Sequence, residues 1–185
     1  MKTVAIIHGW AEGPWQSRKF RQELKQQGFE PEKDASKAEI IIGHSLGCYL
    51  VPANQAKLIV LIGLPYWPGL NVPASLARKL WLELTHHRRS ATIGWWLNKL
   101  AHNIWYIVSK PLMTYYIFSM RKLKNLPSGK NQKVLLIRPR NDTFCHPNIK
   151  DRLSGREYYF VELPGAHDDC WFKPEPCIEL IQKHL

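Results

Sequence analysis

The chain has 185 residues, of which 45% are hydrophobic and 22% are charged, with 13 prolines and 11 glycines. The length fits a single domain, and the composition excludes a disordered, collagenous or low-complexity protein. The four cysteines form no CxxC pair, which disfavours a zinc ribbon, a thioredoxin motif and a dense disulfide scaffold. Reduced thiols and a cytoplasmic location are therefore expected.

The net charge is +11, and most of it lies in one part of the sequence. Residues 68–130 contain ten basic residues and a single acid, Glu83, so they carry nine of the eleven net positive charges. They also contain four of the eight tryptophans. We call residues 68–130 the cap insert.

Short apolar runs rich in β-branched residues predict the strands of a sheet. Five such runs are Thr3–Ile7, Glu39–Ile42, Leu58–Ile62, Val134–Ile137 and Tyr158–Val161, and Phe29–Pro31 is a candidate for a sixth strand at the sheet edge. Helical spacing predicts helices over Gln16–Gln27, Leu46–Ala56 and Pro176–Leu185, with Pro52 bending or ending the second. Because runs that are apolar on both faces are typical of parallel sheets covered by helices, this alternation predicts an α/β layered fold.

The cap insert interrupts this alternation of strands and helices. Within it, helices are predicted over Ser75–Leu84, Ile93–Ser109 and Pro111–Leu123. We interpret the insert as a helical cap between two strands of a core made of residues 1–67 and 131–185. No apolar run reaches 18 residues, so no membrane span is expected, and the apolar run Val4–Ile7 is too short for a signal peptide.

A candidate nucleophile lies directly after the second apolar run, in the sequence Gly43–Gly47. Ser45 is the central residue of this GxSxG motif, and a serine on a sharp strand-to-helix turn needs small residues two positions before and after it. The N-terminus of the following helix would favour a developing oxyanion. The motif therefore predicts a nucleophilic serine, whereas the simpler interpretation is an ordinary glycine-rich turn.

A nucleophilic serine needs a base, and the base needs an acid that fixes its tautomer. Asp142 follows the Val134–Ile137 run, and His167 follows the Tyr158–Val161 run. Both residues are therefore expected on loops at the carboxyl ends of strands, where open α/β sheets bind their ligands. Together with Ser45 they form a candidate catalytic triad in the chain order Ser, Asp, His.

Neighbouring residues leave alternatives for the base and the acid. His8 and His44 are alternative bases, although structural roles in orienting the loops are expected for both. Asp168 or Asp169 could replace Asp142, but a residue directly after a histidine seldom reaches the Nδ1 atom of that histidine. Cys145, His146 and Cys170 lack the regular spacing of metal ligands, so no metal and no cofactor are expected.

With these motifs the chain resembles α/β-hydrolase-fold proteins, and in size and motif order it is similar to the short serine hydrolases of the retinoblastoma-binding-protein-nine and YdeN type. The resemblance rests on four motifs along the whole chain: His8–Trp10, Gly43–Gly47, Asp142 with Pro147, and Gly165–His167. It implies a three-layer α/β/α hydrolase fold with a shortened, mostly parallel sheet and a helical cap.

The same resemblance implies roles for individual residues. Ser45, His167 and Asp142 would form the catalytic triad, and the backbone N–H groups of Leu46 and of Trp10, or of its neighbour Ala11, would form the oxyanion hole. The chain departs from the family after Gly28, where about ten residues lead to the strand before Ser45 and leave almost no room for the usual helix.

Three interpretations of the basic, aromatic cap insert remain open at this stage. The insert could close over the active site with solvated lysines, it could contact an anionic membrane surface, or it could bind nucleic acid, for which it contains no recognised motif. The first is the simplest, and the last is the least favoured.

Two functions from different classes follow from the sequence. The favoured function is a serine hydrolase, an esterase, lipase or thioesterase, that cleaves a small ester or thioester with an apolar acyl group through an acyl-enzyme. The alternative is a non-catalytic binding protein on a hydrolase scaffold, because a fold alone does not determine function.

Overall fold

Six parallel strands form a single sheet in the order β2-β1-β3-β4-β5-β6. The structure is a computed structural model and describes residues 2–52, 56–66, 81, 85, 93–112, 132–152 and 158–185. The strands are β1 (Lys2–Ile7), β2 (Phe29–Pro31), β3 (Ile40–His44), β4 (Leu58–Ile62), β5 (Lys133–Pro139) and β6 (Tyr158–Leu163). All five predicted runs and the predicted edge strand are therefore confirmed, as is the mostly parallel α/β fold.

The α-helices whose bounds the structure describes accompany the sheet. They are α1 (Arg18–Gln26), α2 (Ile93–Ser109), α3 (Ile149–Arg152), α4 (Asp169–Phe172) and α5 (Glu175–His184). α1 and α5 confirm the first and last predicted helices. Between β2 and β3 the chain forms only turns, which agrees with the short connection expected after Gly28.

Alternation along the buried strands divides the core between the two faces of the sheet. On one face, Ile40 and Ile42 pack with Phe20 of α1, Trp171 of α4 and Ile178 of α5. On the other face, residues such as Ile41, Ile59 and Leu61 pack with Cys48 and Ile149. Because both faces are covered, the strand ends and their loops are where polar groups can collect.

The predicted helix Leu46–Ala56 is wrong in type, but the prediction that Pro52 bends or ends it is confirmed, because the helix stops before this proline. A 3₁₀ helix covers Ser45–Leu50, and Val51 is extended with φ −61° and ψ 121°. Pro52 explains where the helix ends, since proline disfavours the α conformation at the residue before it. Its ring would also collide with the carbonyl group four residues earlier in an α-helix. Residues 53–55 lie outside the described residues.

The cap insert is described only in part. α2 covers the residues of the predicted helix Ile93–Ser109. Most of the predicted helices Ser75–Leu84 and Pro111–Leu123 lies outside the described residues, so the division into core and cap stays a prediction. Of the helices that the structure describes, none is long and apolar enough to cross a membrane.

The close approach of two backbone segments at Gly47 gives a test of this architecture. A Cβ atom at Gly47 would lie 2.2 Å from the carbonyl oxygen of Ile7 in β1. We expect Gly47→Ala to lower the free energy of unfolding by about 3 kcal/mol or more, measured by urea denaturation.

Gly28→Ala is the matched control for this substitution. Gly28 has φ +82°, but an added Cβ there would have no neighbour within 4 Å, so only the backbone penalty of about 1–2 kcal/mol applies. Equal losses in the two variants would contradict the close contact between the Ser45 turn and β1.

Candidate active site

Ser45 is the first residue of the 3₁₀ helix, directly after β3, and its backbone is strained. Its φ of 53° is in the left-handed region, which is rare for residues other than glycine. A Cβ atom at Gly43 would lie 2.8 Å from the Cα atom of Cys48, and one at Gly9 would lie 2.7 Å from the Cβ atom of Ser45. Together with the contact at Gly47, these distances give a steric reason for the glycines of the GxSxG motif. They also place the loop after β1 directly against Ser45.

Asp142 and His167 form a buried pair at the carboxyl ends of β5 and β6. Nδ1 of His167 lies 2.7 Å from Oδ2 of Asp142, and both side chains are buried. The other carboxylate oxygen of Asp142 accepts hydrogen bonds from the N–H groups of Phe144 and Cys145, at 2.7 and 3.1 Å. Burial alone would raise the pKa of Asp142, but His167 and these two N–H donors hold the pKa below its usual value.

This pairing determines which nitrogen of His167 can accept a proton. Because the ionised carboxylate of Asp142 is an acceptor, Nδ1 donates to it, and in the neutral ring Nε2 keeps its lone pair. Nε2 is buried, and among the described residues it has no hydrogen-bond partner. The pair therefore presents a buried base that is oriented by an acid.

Among the described residues, Ser45 makes no hydrogen bond to His167, and it is connected to this base through its neighbour in the chain. The ring of His44, the residue directly before Ser45, lies 4.9 Å from the ring of His167. The structure thus brings Asp142 and His167 together, and Ser45 follows directly after His44, whose ring contacts that of His167. Hydrogen bonds between a catalytic serine and histidine are often long or misaligned when no substrate is bound.

Gly63, which was not among the predicted site residues, leaves room for the Asp142–His167 pair because it has no side chain. Gly63 follows β4 with φ +59°, and a Cβ atom there would lie 3.0 Å from both the Asp142 carboxylate and the His167 ring. The signal in the sequence was a glycine directly after the run Leu58–Ile62. A side chain at this position would disturb the Asp142–His167 hydrogen bond.

The loop after β1, which contains the predicted oxyanion donor Trp10, has an unusual backbone. Ala11 has φ 56°, and the N–H group of Gly9 donates to the carboxylate of Glu12 at 2.8 Å. The other predicted donor, Leu46, is the second residue of the 3₁₀ helix, where backbone N–H groups have no partner within the helix. The assignment of these two donors stays a prediction.

His44 is buried with both ring nitrogens facing acceptors. Nδ1 lies 2.8 Å from the carboxylate of Glu12, and Nε2 lies 2.9 Å from the backbone carbonyl oxygen of His167. Since a carboxylate and a carbonyl oxygen can only accept, both nitrogens donate and the ring is an imidazolium. Burial alone would lower the pKa of His44, but the charge and the hydrogen bond of Glu12 outweigh it and raise the pKa.

This arrangement argues against His44 as the base for Ser45. With both nitrogens protonated, the ring has no lone pair to receive a proton. His8 is also engaged elsewhere, because its Nε2 atom lies 2.7 Å from the hydroxyl of Ser17. Burial lowers the pKa of His8 to about 4, so its ring is neutral at pH 7. Both histidines therefore have the structural surroundings that the sequence analysis expected.

The two aspartates after His167 also have other partners. Asp168 is fully buried and contacts the ammonium group of Lys99, which belongs to α2. Asp169 accepts a hydrogen bond from the N–H group of Ala166 at 2.9 Å. Nδ1 of His167 is occupied by Asp142, so neither aspartate replaces Asp142 as its partner.

Lys99 corrects the interpretation that the lysines of the cap insert are all solvated. This side chain is 4% exposed, and its ammonium group lies 4.8 Å from the ring centre of Trp95 in addition to its contact with Asp168. The sequence signal was a lysine among Trp95, His102 and Tyr106 at helical spacing, which indicates a buried side of α2. Lys99 thus connects the cap insert to the loop that carries His167.

The residues around His44 also meet the geometric requirement for a metal site. Glu12, His44, His167 and Asp168 each offer a ligand atom, and these atoms lie within 4.8 Å of one another. The charges in the cluster are already balanced, however, because the His44 imidazolium faces Glu12 and the Lys99 ammonium faces Asp168. A cation would have to displace a proton or an ammonium group, so the donor set fits an ion-pair network better than a metal.

The buried ion pair between α2 and the His167 loop can be tested by its effect on stability. Asp168→Asn removes the carboxylate charge beside the buried ammonium of Lys99, so we expect the free energy of unfolding to fall by about 3–5 kcal/mol. The double variant Lys99→Met/Asp168→Asn should recover most of this loss, because no buried charge is then left without its counterion. Urea denaturation measures both changes.

An exposed ion pair of the same chain is the control for this measurement. Lys19 and Glu175 lie 3.2 Å apart with both side chains about half exposed, so Glu175→Gln should cost less than about 1 kcal/mol. If Asp168→Asn costs no more than Glu175→Gln, then Lys99 is not held by Asp168 inside the protein.

Solved structures with the same fold were found, although no protein-family model and no curated protein sequence matches the chain. A deformylase of N-formylmaleamic acid from Pseudomonas putida S16 superposes with a TM-score of 0.67 at 12% identity, covering 97% of this chain and 91% of that one. A hydrolase from Oleispira antarctica gives a TM-score of 0.65 at 12% identity, covering 98% of this chain and 91% of that one. A monoacylglycerol lipase from Paleococcus ferrophilus gives a TM-score of 0.55 at 15% identity, covering 99% of this chain and 95% of that one. The similarity to the retinoblastoma-binding-protein-nine and YdeN type stays a prediction, but the chain has the α/β-hydrolase fold.

Proposed function

We propose that this protein is a serine hydrolase that cleaves a carboxylic ester or thioester through an acyl-enzyme. The observation that carries the proposal is the buried Asp142–His167 pair, whose Nε2 atom keeps a lone pair. The strained backbone of Ser45, directly after the His44 ring that contacts His167, adds support. Strained backbone conformations and buried groups without partners are found where chemistry is performed. Similarity to hydrolases at 12–15% identity adds support at the level of the fold.

In the proposed reaction the hydroxyl oxygen of Ser45 attacks the carbonyl carbon of the substrate. His167 takes the hydroxyl proton on Nε2, and Asp142 stabilises the resulting imidazolium through Nδ1. The negative charge on the carbonyl oxygen is stabilised by the backbone N–H groups of Leu46 and Trp10. When the carbon–oxygen or carbon–sulfur bond breaks, Nε2 returns its proton to the leaving alcohol or thiol. Water then attacks the acyl-enzyme in the same way and releases the acid.

The surroundings of His167 favour an apolar acyl group. The ring of Phe144 lies 5.3 Å from the ring of His167, and Trp10 meets Tyr106 of α2 at 6.0 Å between ring centres. A substrate bound at His167 would therefore meet the ring of Phe144, whereas the charge of Lys99 is paired with Asp168. Burial of an alkyl chain against these rings would contribute roughly 0.8 kcal/mol for each methylene group.

Covalent labelling tests the proposed nucleophile. A fluorophosphonate probe should attach to Ser45 in the native protein, because His167 activates the hydroxyl group for attack on phosphorus. Ser45→Ala should abolish the label, and peptide mass spectrometry should locate the adduct on the peptide that contains Ser45.

Ser36→Ala is a matched control, since Ser36 is exposed and hydrogen bonded to Asp34 on a distant turn. This variant should label like the native protein. Labelling that survives Ser45→Ala would assign the nucleophile elsewhere. A folded native protein that takes no label would favour the alternative, a binding protein that retains the scaffold of a hydrolase.

A further inference from the structure

Helix α2 has two sides with different surroundings. On the inner side, Trp95 and His102 contact the ring of Trp15, Lys99 contacts Asp168, and Tyr106 meets Trp10. These four α2 residues follow one another at intervals of four, three and four positions, which places them on one face of the helix. The inner side therefore binds the loop after β1 and the loop of His167.

The opposite side of α2 is aliphatic and exposed. The side chains that share it are between 49% and 80% exposed, and they are Ile93, Leu97, Leu100, Ile104, Ile107 and Val108. We call these six residues the outer face of α2. A helix on the surface of a protein normally turns its apolar side inward and its polar side to water. In α2 the lysine is inside and the aliphatic residues are outside, so the outer face fits an apolar partner.

Charge decides between the possible partners of this face. α2 contains no acidic residue, and the cap insert to which it belongs carries ten basic residues and one acid. A second copy of the chain would carry the same net charge of +11 and repel the first, whereas an anionic lipid surface would attract the chain. Nucleic acid would also attract a positively charged protein, but aliphatic side chains cannot donate hydrogen bonds to phosphates or to the edges of bases.

The dimensions of α2 also suit the surface of a bilayer. Seventeen residues form a helix about 25 Å long, which is too short to cross the hydrocarbon core but can lie along the interface. Trp105 borders the outer face and is 66% exposed, and tryptophan side chains favour the level of the lipid headgroups.

From these observations we infer that the outer face of α2 binds an anionic membrane surface. The aliphatic side chains enter the region between headgroups and acyl chains, and the net charge of +11 of the chain adds electrostatic attraction. The inner side of the same helix stays on the loops of Trp10 and His167, so α2 lies between these loops and the membrane. The inference does not depend on the proposed hydrolysis, because it rests on exposure and charge alone.

Sedimentation with vesicles tests this inference. The protein should bind vesicles of equal parts phosphatidylcholine and phosphatidylglycerol more tightly than vesicles of phosphatidylcholine alone, and high salt should weaken the difference. The triple variant Leu97→Gln/Leu100→Gln/Ile104→Gln should bind the anionic vesicles at least about tenfold more weakly, since three apolar side chains no longer enter the lipid. These side chains are exposed, so the variant should fold, and circular dichroism checks this.

Two controls separate the possible outcomes. Leu50→Gln changes a side chain that is 63% exposed outside α2 and should leave vesicle binding unchanged. Ser45→Ala should bind vesicles like the native protein, so a failure of the proposed hydrolysis would not affect this result. Equal binding to both kinds of vesicle, or full binding by the triple variant, would overturn the inference. So would a native dimer that the triple variant dissociates in analytical ultracentrifugation, because the outer face would then join two copies of the chain.

Discussion

His44 contacts both the loop after β1 and the loop after β6. Because its two partners, the carboxylate of Glu12 and the carbonyl oxygen of His167, can only accept hydrogen bonds, both ring nitrogens of His44 must donate. One hydrogen bond ties β3 to the carboxylate of Glu12 in the loop after β1, and the other ties it to the backbone of His167 after β6. Ser45 is the next residue, so the position of the candidate nucleophile relative to the candidate base depends on this ring. Substitution of His44 would therefore change the geometry of the whole site rather than one contact.

The charges around His44 cancel within the protein. Burial of a charged group is costly unless a partner and hydrogen bonds compensate for it. Here Glu12 compensates His44, and Lys99 from α2 compensates Asp168. Lys99 is thus part of the electrostatic balance of the site although it comes from the cap insert. An ion pair with Asp168 therefore holds α2 on its inner side. The aliphatic outer face of α2 is exposed.

The sequence predicted the sheet and the Asp142–His167 pair for the same reason. Runs of β-branched residues form buried parallel strands, and the loops after parallel strands meet at one edge of the sheet. Asp142 and His167 each follow such a run, so their contact could be expected without knowledge of the intervening loops. The hydrogen bond between Nδ1 and the carboxylate agrees with that expectation.

Residues that act through distant partners could not be predicted in this way. Glu12 and His44 are 32 positions apart, and Lys99 and Asp168 are 69 positions apart, so neither pair follows from local spacing. Pro52 does end the helix after Ser45, as its sequence predicts, but the spacing of apolar residues does not distinguish the 3₁₀ helix that forms there from an α-helix. Local patterns thus located the strands and the loops after them, whereas the compensation of buried charge required the fold.

The protonation of the two buried histidines tests this account most directly. Two-bond ¹H–¹⁵N spectra of the side chains distinguish a ring that is protonated on both nitrogens from each neutral tautomer. At neutral pH the account predicts both protons on His44, and it predicts that the neutral ring of His167 carries its proton on Nδ1. A neutral His44, or a neutral His167 with its proton on Nε2, would contradict the arrangement on which the proposed chemistry depends.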